Sequence, residues 1–286
     1  MKELPRVTIP LGFSYVACFL TLRCNFKCAY CLNTFIGKTR RRQEMTADEW
    51  IAGLSRIATT RWLPITIEGG EPTCHKGFFD IMQRVSPDVP FDLLTNMEFK
   101  MKDFLIKVPP ERFRNVPGCN SIRVSYHPPQ HDLELIALKC YRLKAEGYSV
   151  AIAGVLTEEN RKYYTSEFKH YLRIMGVEFG TKEELAPNKG TYRHPEAVRG
   201  RRLARKVMCR SNDLVIGPSG HLYRCHSDMY AMREPIGHLL DPELRIEWKL
   251  RPCSNYGLCH PCDLKLKVNN YFEEGHTGVE IQSGAR

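Results

Sequence analysis

Apolar residues come in short runs along the first two thirds of the chain. "VACFLTL", "ITIEG", "FDLLTN", "SIRVSY", "VAIAGVL" and "VEFG", all between residues 15 and 181, are rich in β-branched and aromatic residues and predict strands. Helical spacing fills most of the gaps. "TADEWIAGLSRIA" opens with Thr46 and Glu49 in a capping-box arrangement and puts Trp50, Ile51, Leu54 and Ile57 on one face. "HDLELIALKCYRLKAEG" spaces Leu133, Ile136, Ala137 and Cys140 likewise and stops at Gly147, and "SEFKHYLRIMG" stops at Gly176. Six strands alternating with helices predict an α/β fold, a parallel sheet curled into a partial (β/α)6 barrel.

After about residue 185 the alternation fails. "APNKGTYRHPEAVRGRRLARK" is rich in Pro, Gly and Arg and reads as a linker. The expected division is therefore a barrel over 1–198 and a small cysteine-rich unit over 199–286.

Composition narrows the class. The chain has 286 residues, 43% hydrophobic and 26% charged, with a mean hydropathy of −0.37, which fits a soluble globular protein able to bury a core without disulfides. Its most apolar N-terminal stretch, Thr8 to Leu22, is broken by Pro10 and Gly12 and is too short to span a bilayer, so a cytoplasmic location is expected. A formal charge of +10 favours acidic partners: phosphorylated metabolites, acidic peptides or nucleic acid. Lys38, Arg40, Arg41 and Arg42 form one basic run, and Arg199, Arg201, Arg202, Arg205, Lys206 and Arg210 form another.

Twelve cysteines in a chain without a secretion signal point to metal or redox chemistry. Cys24, Cys28 and Cys31 cluster near the start in "CNFKCAYC"; Cys209, Cys225, Cys253, Cys259 and Cys262 cluster near the end; Cys18, Cys74, Cys119 and Cys140 are scattered. A structural zinc site wants four protein ligands, and the first cluster supplies three. An iron–sulfur cube met by three thiolates keeps one iron open to a non-protein ligand.

"LTLRCNFKCAYC", with Tyr30 at the aromatic position, resembles the signature of the radical S-adenosylmethionine (SAM) enzymes. Gly69, Gly70, Glu71 and Pro72 resemble that family's GGEP motif, and "LLTN", ending in Asn96, resembles its TN element. Ser125 in "RVSYHP" stands at a position often near the cofactor ribose, and Ile152 with Gly154 is similar to part of an adenine-contacting motif. The resemblance implies a TIM-like partial barrel in which Cys24, Cys28 and Cys31 hold a 4Fe-4S cluster. The methionine moiety of S-adenosyl-L-methionine would chelate its open iron, and a reductant such as flavodoxin or ferredoxin would supply the electron. Cleavage would yield a 5'-deoxyadenosyl radical that takes hydrogen from a substrate. Side-chain-free glycines would let backbone polar groups approach the cofactor amine.

"CRSNDLVIGPSGHLYRC" and "CSNYGLCHPC" resemble the auxiliary-cluster appendages called SPASM and twitch. Five cysteines fit one additional 4Fe-4S cluster, with Cys209, Cys225, Cys259 and Cys262 as favoured ligands and Cys253 as the alternate; a zinc ribbon is the competing reading. His127 and Glu183, with Glu184 beside it, are candidate general bases near strand ends, and Cys74, just after the GGEP loop, is a candidate hydrogen-atom donor.

The first strand begins about 15 residues from the start, an arrangement without room for the leader-peptide domain of many peptide-modifying relatives. The expected reaction is oxidation or epimerisation of an acidic small molecule, a sugar or a nucleotide-linked one. A peptide or RNA substrate is the alternative, and a non-catalytic zinc or iron–sulfur protein that binds nucleic acid is the reading from another class.

Overall fold

In the computed structural model of the chain, six parallel strands lie side by side in sequence order. They are β1 (Tyr15–Thr21), β2 (Ile65–Gly69), β3 (Phe91–Thr95), β4 (Ile122–Tyr126), β5 (Val150–Leu156) and β6 (Glu178–Glu183). The structure describes residues 4–31, 33, 43–114, 120–128, 130–165, 167–183, 205–256, 271–272 and 278–283. Register pairs Val16 with Ile65, Ile65 with Phe91, Leu93 with Ile122, Ile122 with Val150 and Ala151 with Glu178.

The two faces of this sheet differ. Val16, Cys18, Leu20, Ile65, Ile67, Leu93, Ile122, Val124, Val150 and Ile152 join one core with the helices, which contribute Trp50, Leu54, Phe78, Ile81, Phe104, Ile136, Cys140 and Phe168. Because successive side chains alternate, the other face carries Phe19, Thr66, Glu68, Asp92, Arg123 and Ser125. A parallel sheet covered by helices on both faces would be apolar on both. Here the polar second face is available for chemistry.

Helix α1 (Ala47–Ser55) forms as its sequence dictates: Glu49 N–H donates to the Thr46 hydroxyl at 3.3 Å, and Thr46 N–H donates to the Glu49 carboxylate at 2.7 Å. Helices α2 (Phe78–Arg84) and α3 (Met101–Lys107) follow β2 and β3. Helix α4 (Leu133–Ala145) is capped by Asp132, which accepts from Leu135 N–H at 2.8 Å, and the chain leaves it through Gly147 at φ +92°. Helices α5 (Arg161–Thr165) and α6 (Glu167–Ile174) precede β6.

One expected helical residue sits elsewhere. Ile57, placed on the face of α1 by spacing, lies in a two-residue strand, Ile57–Ala58, parallel to Val7–Thr8. The helix stops because Arg56 turns away: its carbonyl accepts from Val7 N–H at 2.9 Å. Its buried guanidinium donates to the carbonyls of Pro5 at 2.6 Å, Leu239 at 3.2 Å and Asp241 at 2.6 Å. Replacing Arg56 by alanine removes the donor to these carbonyls and to that of Pro242, at 3.4 Å. It is expected to cost about 3 kcal/mol of unfolding free energy, read by urea titration.

The sheet continues past residue 198, where the sequence draws its boundary. Strand β7 (Arg205–Ser211) belongs to a second, antiparallel sheet, whereas β8 (Asp213–Ile216) pairs in parallel with β1, Asp213 opposite Tyr15 and Ile216 opposite Cys18. Strands β9 (His221–Tyr223) and β10 (Gly237–His238) extend the first sheet to nine strands, ordered β10-β9-β8-β1-β2-β3-β4-β5-β6. No strand pair among the described residues closes it into a ring. Helix α7 (His226–Ala231) packs Met229 and Tyr230 against Ala17, Phe19, Val215 and Tyr223. The second sheet adds β11 (Arg251–Tyr256), β12 (Tyr271–Phe272) and β13 (Gly278–Ser283) to β7 in the order β11-β7-β13-β12. No helix among the described residues is long and apolar enough to cross a membrane.

Candidate active site at the strand ends

The three-cysteine loop leaves the C-terminal end of β1 and is held by its neighbours' strand ends. Gly70 N–H donates to the Thr21 carbonyl at 2.9 Å, and Glu71 N–H to the Arg23 carbonyl at 2.8 Å. The contact is close enough to require glycine twice. A Cβ on Gly69 would stand 2.1 Å from the Thr21 carbonyl oxygen, and one on Gly70 would stand 2.3 Å from that of Arg23. The glycines thus make room for the backbone that leads into the cysteines, beyond the approach to a ligand that sequence assigns them.

Glu71 ties this unit to β3. Its buried carboxylate accepts from Thr73 N–H at 3.1 Å, Thr73 hydroxyl at 2.6 Å, Thr95 hydroxyl at 2.8 Å and Asn96 N–H at 2.7 Å. Burial raises its pKa from the ordinary carboxylate value, and these hydrogen bonds oppose the rise. Asn96 then donates from Nδ2 to Asn25 Oδ1 at 2.7 Å, inside the cysteine loop. Pro72 opens the short turn Pro72–Cys74 and is buried.

From β4 comes the second clamp. Gln130 Nε2 donates to Cys28 Sγ at 3.2 Å, and Gln130 Oε1 accepts from Lys27 N–H at 3.0 Å. The Tyr30 hydroxyl lies 2.9 Å from His127 Nδ1, and the two rings stack at 5.9 Å. His131 Nδ1 accepts from His127 N–H at 3.0 Å, so its proton sits on Nε2, 2.9 Å from the Asn96 carbonyl. Phe26 packs edge-on against both imidazoles, at 5.8 and 4.8 Å.

Burial, with His131 nearby, pushes the His127 pKa down to about 4, so the ring is neutral at pH 7 and committed to Tyr30. The unfolded chain then binds the extra proton between pH 6.5 and about 4, and stability falls as pH drops through that window. The iron-free protein is expected to lose about 2 kcal/mol on going from pH 7 to pH 5 through this group. Urea titrations at the two pH values should show that loss reduced in His127→Asn.

The donor set fits an iron–sulfur group. Cys24 is exposed, Cys31 half-buried and Cys28 buried on one loop. Cys24 Sγ accepts from Phe26 N–H at 3.3 Å. Although its surface reaches solvent, the Cys24 thiol is desolvated by the surrounding loop atoms, which with Glu71 beside it raises its pKa to about 11; burial also raises that of Cys28, so cationic iron is needed to hold them as thiolates. Cys74 stands beside this loop, its thiol hydrogen-bonded to the Asn25 backbone; burial, with Glu71 next, raises its pKa and keeps the S–H. Ser125 lies on the polar face of β4, paired in register with Ala153. Ile152 pairs with Val124 and is buried with it in the core under the helices, so it does not share the face of Ser125. Glu183 closes β6, and Glu184 lies outside the described residues.

The second cysteine group also converges. Cys209 on β7, Cys225 at the start of α7 and Cys253 on β11 line one cavity with Arg224 and Asp228. Cys253, the alternate in the sequence reading, stands with the two hairpin cysteines; Cys259 and Cys262 lie outside the described residues, as do Lys38, Arg40, Arg41, Arg42, Arg199, Arg201 and Arg202. Sequence reasoning missed Asn25, Gln130 and His131. The run "HPPQH" between a strand and a capped helix was the available signal, but nothing in it points to residue 28.

Residues 19–136 match the family model described as the radical SAM superfamily. The chain is 29% identical over 85 residues, 30% of its length, to the PqqA peptide cyclase of Rhizobium meliloti (strain 1021), covering 22% of that protein. It is 33% identical over 85 residues, 28% of its length, to a probable GTP 3',8-cyclase of Halobacterium salinarum (strain ATCC 29341 / DSM 671 / R1), covering 24% of that protein. The chain therefore spans less than a quarter of the curated relatives it matches. Among solved structures, native anSMEcpe with bound AdoMet superposes with a TM-score of 0.53 at 14% identity, over 90% of this chain and 85% of that one. Streptococcus suis SuiB bound to the precursor peptide SuiA gives 0.50 at 11% identity, over 82% and 64%. At these identities the two structures show a shared fold.

Proposed function

We propose that this chain, which carries a radical SAM superfamily domain over residues 19–136, is an enzyme that cleaves S-adenosylmethionine reductively and takes a hydrogen atom from a substrate. The observation that carries the reading is the locking of the three-cysteine loop onto the Gly69–Glu71 loop, backbone to backbone, with glycine at both contact points. Cys24, Cys28 and Cys31 would hold a 4Fe-4S cluster with one open iron, and that group would supply the electron for reductive cleavage of the sulfonium.

This chain's own residues do the positioning. The N–H of Gly70 is spent on Thr21 at the end of β1 and that of Glu71 on Arg23 just beyond it, so the loop offers carbonyl oxygens to the ammonium of the cofactor. Glu71 and Asn96 fix that loop relative to Cys24, and Ser125 on the polar face of β4 is the candidate for binding a ribose hydroxyl. His127, with Nδ1 on Tyr30, orients the tyrosine; a proton leaving the substrate is better assigned to a group outside this cluster, with Glu183 as the candidate. Cys74 keeps its S–H next to the loop and remains the candidate donor for an epimerisation.

The cavity cysteines Cys209, Cys225 and Cys253, with Cys259 and Cys262 as further donors, support a second, auxiliary 4Fe-4S cluster of SPASM or twitch type. Double substitution of Cys209 and Cys225 to alanine is expected to lower the iron content by one cluster while sparing the first. Zinc in place of iron after anaerobic purification would overturn this assignment.

The charge of +10 favours an anionic substrate. Relatives named for GTP and for the PqqA peptide divide the choice between a nucleotide-linked or sugar acid and a peptide. Deuterium transfer into 5'-deoxyadenosine from a labelled metabolite pool supports the small molecule; transfer from a labelled peptide pool alone supports the peptide.

A further inference from the structure

Two sulfurs of the cluster-binding loop, those of Cys24 and Cys28, are differently provided with hydrogen-bond donors. The Cys28 sulfur takes the Gln130 carboxamide N–H at 3.2 Å, and the Tyr30 hydroxyl also bonds to it. Cys24 has the Phe26 backbone N–H at 3.3 Å and the Asn96 side chain only at 4.0 Å. Tyr30 belongs to the loop itself, but Gln130 comes from the segment between β4 and α4, 102 positions away. Among the described residues, both hydrogen bonds of its side chain go to the cysteine loop. Its geometry is that of a two-pronged clamp, with Oε1 on the backbone N–H of Lys27 and Nε2 on the adjacent sulfur.

We infer that Gln130 is a positioning residue that tunes the reduction potential of the cluster bound by Cys24, Cys28 and Cys31. The inference rests on the radical SAM reading of that loop. A reduced cluster carries one more negative charge than an oxidised one, and that charge is shared by its thiolate ligands. A neutral N–H aimed at a sulfur stabilises the reduced form more and raises the potential. The same donor is held in place by the second prong, so its direction is set before the cluster is reduced. Tyr30 acts in the same sense: once Cys28 is a thiolate, the phenol proton is drawn to sulfur, and His127, through Nδ1, is left to donate to the phenol oxygen.

Two substitutions separate tuning from loop anchoring. Gln130→Glu keeps an oxygen to accept from Lys27 N–H and replaces the donor with a carboxylate oxygen. Gln130→Leu removes both prongs. Gln130 is exposed, so neither change disturbs the core. The measurement is the midpoint potential of the reconstituted cluster, followed by the electron paramagnetic resonance signal of its reduced form, with iron counted in each sample. Double substitution of Cys209 and Cys225 to alanine in every sample removes the second candidate cluster from the signal. Gln130→Glu is expected to disfavour reduction by about tenfold, equivalent to about 59 mV for a one-electron couple, at unchanged iron content. Gln130→Leu is expected to move in the same direction with some iron lost. A wild-type potential in Gln130→Glu overturns the inference, and so does a shift confined to Gln130→Leu, which would assign Gln130 to anchoring alone. Failure of the parent protein to form any cluster would instead overturn the reading on which the inference rests.

Discussion

Replacing Cys28 by alanine is expected to leave a folded protein that holds one cluster less iron and forms no 5'-deoxyadenosine above background. The side chain is buried but sits at a strand end, between donors from Gln130 and Tyr30, and outside the main core. Its loss therefore costs packing little and ligation everything. Changes one shell further out already cost 10- to 100-fold in metal affinity or activity, so loss of the ligand should exceed about 100-fold. Iron content and chromatography of the nucleoside product read both halves. Full activity in Cys28→Ala would remove the thiol from the site.

The second large effect falls on a residue with no side chain. In Gly70→Ala the new methyl carbon would stand 2.3 Å from the Arg23 carbonyl oxygen and 2.6 Å from that of Leu22. Both are backbone atoms of the segment entering the cysteine loop and cannot swing aside. Either the Gly69–Glu71 loop or the cysteine loop must move. The expected cost is about 3 kcal/mol in stability, at the upper end for an overpacked site. S-adenosylmethionine affinity should fall at least about 10-fold beyond that, because Glu71 and its partners Thr95 and Asn96 are displaced together. Gly180→Ala is the control: a Cβ there meets nothing within 4 Å, and stability should not change. Equal behaviour of the two variants, by urea titration and calorimetric binding, would contradict the close-contact account.

Much of the sheet was legible because its signals are local. Strand runs bounded by turn residues, the Thr46–Glu49 capping box and the stops at Gly147 and Gly176 each lie within a dozen residues, and each took the form its pattern dictated. Ile57 broke from its helix because Arg56 binds four carbonyls that are distant in sequence. The strand Asp213–Ile216 was hidden for a similar reason: four residues between cysteine-rich turns read as part of a metal-organised unit, and only pairing with Tyr15–Cys18 makes them a sheet strand.

The site divides the same way. Cys24, Cys28 and Cys31 announce themselves by spacing, and Gly69 to Pro72 by composition. The bonds that turn them into one object link residue 71 to 96, 96 to 25 and 130 to 28, and no window of sequence contains any of these pairs. Ile152 shows the converse. Its motif position is readable, but alternation along β5 sends its side chain into the core with Val124.

The most direct test of the central claim is nucleoside analysis after anaerobic iron–sulfur reconstitution, reduction and addition of S-adenosylmethionine. The account predicts 5'-deoxyadenosine from the parent protein and from Cys253→Ala, and none from a Cys24, Cys28 and Cys31 to alanine triple variant. Absence of 5'-deoxyadenosine from an iron-replete parent protein, or equal amounts from parent and triple variant, would contradict it.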